Sequence, residues 1–146
     1  MTGTTIIALN RSMQVTMEWL HAIRDELKWD DDERVYDATK AVLHAVRDRL
    51  PLEDMTKFSA QLPLIMKGLY FDQYDPTDKP LKLRTRAAFL NHVRENFPGA
   101  NVDPEVAVRG VMRAIAKKST PHAVEKIALS MPEDIRDLIV GVKVTQ

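Results

Sequence analysis

The chain has 146 residues, 45% apolar and 29% charged, with five glycines and no cysteine; this suits one compact domain spanning 1–146 and excludes a disordered chain. Lysine plus arginine equals aspartate plus glutamate at 21 each, so no overall field draws nucleic acid or an anionic membrane, and any charged partner must meet a local patch. The lack of cysteine removes disulfides, thiolate catalysis and thiolate metal sites, which fits a reducing cytoplasm.

Met1 to Leu9 has no basic leader and only the short apolar run Ile6-Ile7-Ala8-Leu9, so a secretory signal is not expected. No apolar run approaches the roughly 18 residues of a membrane helix, and a cytoplasmic protein without a membrane partner is expected. A first helix is predicted from about Ser12 to Lys28, with Val15, Trp19, Ile23 and Leu27 on one stripe. Asp30-Asp31-Asp32-Glu33 reads as a helix start, with Asp30 capping and Glu33 placed as in a capping box. The long second helix turns Val35, Ala38, Val42, Ala45 and Val46 inward. Pro51 ends it. A short third helix carries Met55, Phe58 and Leu62, and Pro63 opens a fourth that closes at Leu69.

The linker that follows is rich in aromatics and proline. A helix from about Arg84 to Phe97 repeats the first stripe as Phe89, Val93 and Phe97. Asp103 caps the next helix and Pro104 takes its first position, with Ala107, Val108, Val111, Ala114 and Ile115 inward. Ser119-Thr120-Pro121 breaks the chain, Val124, Ile127 and Met131 mark a seventh helix, and Pro132 introduces an eighth that ends near Leu138.

The order of these elements repeats. Val35 to Leu69 aligns without a gap with Pro104 to Leu138, and Trp19 to Arg24 matches Phe89 to Arg94 at a spacing of seventy. Only six of the thirty-five ungapped pairs are identical, so the duplication rests on agreement of apolar pattern and helix punctuation. The expected fold is all-α, a compact bundle of about eight helices built from two tandem pseudo-repeats. Repeat one covers about 12–70, the linker about 71–83 and repeat two about 84–140. Alanine at both Ala45 and Ala114 points to a close helix crossing.

The string Phe58-Ser59-Ala60-Gln61-Leu62-Pro63, continuing through Gly68-Leu69-Tyr70-Phe71 and Tyr74-Asp75-Pro76 to Phe89-Leu90, resembles the prokaryotic family called domain of unknown function 2267. Ala41 to Pro51 is similar to that family's other typical stretch, and the resemblance extends from about Met17 to Leu138. It implies an all-helical soluble protein of bacterial type, and no activity.

Candidate chemistry is sparse. Glu18-Trp19-Leu20-His21 has the E-x-x-H spacing of di-iron bundles, but the repeat offers Ala88 and Asn91 at the corresponding positions, so no metal site is expected. His44 and His122 are expected on exposed faces. No H-E-x-x-H, G-x-S-x-G or P-loop occurs, so no catalytic residue and no cofactor is assigned. Cations and aromatics interleave only around the linker, where Tyr70, Tyr74, Lys79, Lys82, Arg84 and Arg86 are candidates for holding an anionic or nucleotide-like ligand. Gln61 and its repeat partner Ser130 are candidates to flank a cleft between the units, or to cap free backbone groups there.

The leading expectation is a non-enzymatic interaction module, self-associating or docking a protein partner. Its apolar arcs widen on the first helix through Met13, Met17 and Leu20 and on the second through Leu43 and Leu50. The alternative is a binder of a small anion or nucleotide at the linker; neutral net charge does not favour nucleic acid itself.

Overall fold

The computed structural model describes residues 6–99 and 102–140. Among them are eight helices and no strand: α1 Ile7–Leu27, α2 Asp32–Arg49, α3 Leu52–Ser59, α4 Leu64–Phe71, α5 Arg86–Glu95, α6 Pro104–Lys118, α7 Pro121–Leu129 and α8 Glu133–Val140. The all-α bundle expected from the sequence is the fold observed. None of the described helices is long and apolar enough to cross a membrane.

Local chemistry sets the helix starts. The Asp31 carboxylate accepts from the Glu33 and Arg34 N–H groups, Asp103 from those of Glu105 and Val106, and Thr85 and Thr120 each cap their helices. The cap of α2 is therefore Asp31 and not Asp30, because Asp31 places its oxygen over the first free N–H groups of a helix beginning at Asp32. Likewise α5 starts at Arg86 because Thr85 caps it, two residues later than expected. At the other end of the chain, α1 begins at Ile7 and not near Ser12, since nothing between Ile7 and Ser12 breaks a helix. It stops where Lys28 turns left-handed, with φ 61°, and donates its N–H to the Arg24 carbonyl.

α2 is the hub. α1, α4, α5 and α6 surround it, and every residue from Ala41 to Asp48 is buried. The inward residues expected on α2 and α6 are all in the core, joined by Met55, Phe58, Leu62, Val124, Ile127 and Met131 from the short helices. Leu43 and Leu50 are fully buried, so they are core and not a surface arc: α2 has neighbours on all sides. The first helix packs chiefly on α6, and α5 packs on α2 and α6.

α1 and α6 cross closely at Gly110. A Cβ there would sit 2.4 Å from Leu27 Cδ2 and 2.9 Å from Leu27 Cγ. Overpacking costs about 1–3 kcal/mol, more than the roughly 1 kcal/mol recovered by removing a helical glycine. Gly110→Ala is therefore expected to lower the urea midpoint, and Leu27→Ala added to it should cost less than it does alone; additive effects would show that the crossing is not tight.

Candidate functional site

The polar side of α2 is buried because other helices cover it, and each of its groups is paired. His44, expected to be exposed, is only 5% so. Its Nε2 lies 2.8 Å from the Leu69 carbonyl in α4, which requires that nitrogen to carry the donated proton. Arg47, equally buried, donates from Nη1 to the Tyr70 and Asp72 carbonyls at 2.9 and 2.8 Å, and from Nε to Asp48 Oδ1 at 2.9 Å. Its guanidinium also lies 5.3 Å from the Tyr74 ring centre. Asp48 in turn accepts from His92 of α5 at 3.0 Å, and its backbone carbonyl accepts from the Leu81 N–H at 2.8 Å. Burial pushes the Asp48 carboxyl up, but the His92 and Arg47 hydrogen bonds outweigh it and hold it below the usual range. This network joins α2, α4, α5 and the linker, and its side chains are taken up by partners within the fold.

The linker candidates divide. Tyr70 belongs to α4 and is fully buried, edge-on to Phe58 and Phe71, with its hydroxyl donating to the Met55 carbonyl at 3.0 Å. It cannot stack on a ligand, because the last turn of α4 faces the core. Arg86 is held by carboxylates: its guanidinium lies 2.6 Å from Asp137 and 3.4 Å from Glu105, a cluster that Arg109 shares. Its charge is thus spent within the protein. Tyr74 is half-buried between the cations of Arg47 and Lys79.

Lys79, Lys82 and Arg84 do come together, and with a residue the sequence reading did not single out. They line an open cleft of about 660 Å³ with Arg49, Asp78, Pro80 and Leu81. Arg49 closes α2 and donates from Nε to the Leu83 carbonyl at 3.0 Å. As a last-turn cation of a helix it looked like ordinary dipole compensation; only the return of the linker across α2 reveals the company it keeps.

Gln61 lines a smaller crevice, about 180 Å³, between α3 and α7, together with Asp54, Lys57, His122 and Lys126. Ser130 lies at its edge, where its hydroxyl donates to Asp54 at 2.6 Å and so ties the two helices together. His122 is exposed, as expected. The E-x-x-H pair is not assembled: His21 lies 3.7 Å from Asp32, while Glu18 is exposed on its own. Among the described residues no three His, Asp or Glu side chains converge as metal ligands.

A fourth feature is apolar. Ile7, 81% exposed, and Met13, 58% exposed, continue with Ile6, Leu9 and Met17 along α1. Beside this ridge Met17, Leu20 and Tyr36 line a shallow groove of about 430 Å³ rimmed by Asp32, Glu33 and Asp37. Thr16, Ile65 and Met66 extend it toward α4. The sequence reading placed Met13, Met17 and Leu20 on this surface but began the helix too late to include Ile7 and Leu9.

The model of a family described as "Uncharacterized conserved protein (DUF2267)" matches residues 16–138. No curated protein matches the chain.

Two outcomes are expected of the buried network. Removing one partner of a buried ion pair costs about 3–5 kcal/mol, so Arg47→Met should unfold at much lower urea, and Arg47→Met/Asp48→Leu should cost less than the two single changes summed. Burial, reinforced by the charges of Arg47 and Lys40, lowers the His44 pKa from 6.5, against the opposing bond to the Leu69 carbonyl. Because the unfolded chain then takes up the proton first, this contribution to stability is complete above 6.5 and is lost as pH falls below it. The melting temperature should drop on acidification from about pH 7 to 5, and less steeply in His44→Gln; parallel curves would refute the assignment.

Proposed function

Because the chain belongs to this DUF2267 family, whose description assigns no activity, we propose from its surface that it is a non-enzymatic module that associates with a second copy of itself through α1. The carrying observation is the exposed ridge of Ile6, Leu9 and Met13. These positions continue, at spacings of three and four, the stripe that Ile23 and Leu27 bury against the core. A core-type stripe thus runs on beyond the helices that cover it, in the pattern of a helix pairing seam.

Charge and shape favour a second copy as the occupant. Between Ile6 and Val15 the only charged residue is Arg11, whereas the neighbouring groove is rimmed by Asp32, Glu33 and Asp37. Two copies related by a two-fold axis would each lay the ridge of α1 in the groove of the other, bringing Arg11 to the acidic rim.

We also infer that the fold arose by tandem duplication. α7 begins sixty-nine residues after α3, and α8 sixty-nine after α4. Packing is reciprocal as well: α1 lies on α6 and α5 on α2, while α2 meets α6 and α3 meets α7. These agreements support the pseudo-repeat reading, and the cysteine-free sequence supports a cytoplasmic setting.

Light scattering across micromolar to millimolar concentration should give a dimer. Leu9→Glu/Met13→Glu should be monomeric with an unchanged helical spectrum, because both side chains are exposed. A wild-type monomer throughout the range, or a dimer that survives the double substitution, would reject the proposal.

A further inference from the structure

The linker cleft gathers four cations in one place. Elsewhere the molecule pairs many of its cations: Arg86 and Arg109 with Glu105 and Asp137, Lys57 with Glu53, Lys117 with Glu26. In the cleft, Arg49, Lys79, Lys82 and Arg84 line the walls with Asp78, the Asp75 carboxyl lies near Lys79, and none of the four cations forms an ion pair within 4 Å among the described residues. Four cations gathered near two acids, Asp75 and Asp78, leave an excess of positive charge in a chain of zero net charge.

The backbone that carries them is fastened in place. Leu81 N–H is bonded to the Asp48 carbonyl and Arg49 Nε to the Leu83 carbonyl, so two bonds fasten the linker across the end of α2. Lys79 Nζ donates to the Asp75 carbonyl at 2.8 Å and lies 5.8 Å from the Tyr74 ring centre. With Nε engaged, the Arg49 guanidinium retains the N–H groups of its two terminal nitrogens for a ligand. Burial, and after it the nearby charge of Arg84, lower the Arg49 pKa.

We propose that this cleft binds a small molecule bearing a diphosphate or a comparable pair of phosphate charges, with Arg49 and Arg84 gripping the phosphates and Lys79 and Lys82 closing the charge balance. Arginine's planar fork matches phosphate oxygens two at a time, and a terminal phosphate near pH 7 carries close to two charges. The cleft volume, about 660 Å³, falls within the roughly 300–1,000 Å³ usual for small-molecule sites. Pro80 and Leu81 supply an apolar wall against which the remainder of such a molecule can lie.

The test uses the full chain, calorimetry and thermal unfolding, with inorganic phosphate, pyrophosphate, a nucleoside diphosphate and a single-stranded oligonucleotide as probes at constant ionic strength. Pyrophosphate and the nucleoside diphosphate should bind more tightly than inorganic phosphate and raise the melting temperature. Arg49→Gln and Arg84→Gln should each weaken pyrophosphate at least tenfold, whereas Lys118→Gln, outside the cleft, should leave it unchanged. Without ligand, Arg84→Gln should melt no lower than wild type, since it relieves repulsion. Equal pyrophosphate binding by wild type and Arg49→Gln/Arg84→Gln, no binding of pyrophosphate, or binding of the oligonucleotide alone would overturn the proposal.

Discussion

The buried guanidinium of Arg47 is the constraint around which the rest of the molecule is arranged. A cation taken out of water is tolerated only when hydrogen bonds and opposite charge replace the solvent. Arg47 finds these in three places: the carboxylate of its neighbour Asp48 and the carbonyls of Tyr70 and Asp72, beyond which α4 cannot continue. Those carbonyls are groups that a helix end leaves without a partner of its own. One side chain therefore satisfies itself, neutralises Asp48 and closes α4. Asp48, fixed in this way, reaches His92 and so ties α5 to the hub. The result is a central helix whose polar face is as firmly packed as its apolar one.

That arrangement explains which parts of the fold were legible in the sequence. Apolar spacing identified about eight helices and most of the core residues because it reports the stripe each helix must bury, while Met66, Met112, Ile135 and Ile139 were missed; the repeated punctuation at Pro63 and Pro132 marked where short helices begin. It failed on α2, where His44, Arg47 and Asp48 read as a solvated face. Periodicity records which residues are apolar; it cannot record that α4 and the linker cover the remaining side. The same blindness made Tyr70 a ligand candidate, although its hydroxyl is satisfied inside the core by the Met55 carbonyl. Arg86 was misplaced among the anion-binding candidates for a related reason. Its partners, Asp137 and Glu105, are distant in sequence and meet it only through the packing of α5 on α6 and α8.

Two surfaces remain in which the molecule leaves something unanswered, and they are unlike. On α1 an apolar stripe outruns the helices that cover it; at the linker, positive charge outruns the acids that would balance it. Apolar surface is stabilised by contact that removes it from water, and excess positive charge by negative charge brought near it. The two lie on different elements, the ridge on α1 with its groove formed by α1, α2 and α4, the cleft at the opposite end of α2. An occupant of one therefore leaves the other accessible. The buried network between them keeps α2 and the linker in fixed register, so that both surfaces are displayed by one rigid frame.

The packing of α1 on α6 has a consequence for the birth of the chain. Glu26 meets Lys117 across 91 positions, and the Leu27 side chain closes over Gly110, so α1 finds its main neighbour only when α2 to α6 have been synthesised. At about 5–20 residues per second the ribosome delivers that neighbour several seconds later. Throughout that interval Ile23 and Leu27 remain uncovered by α6 on the growing chain, and the stripe that ends in the core is, for a time, one continuous sticky edge from Ile6 onward.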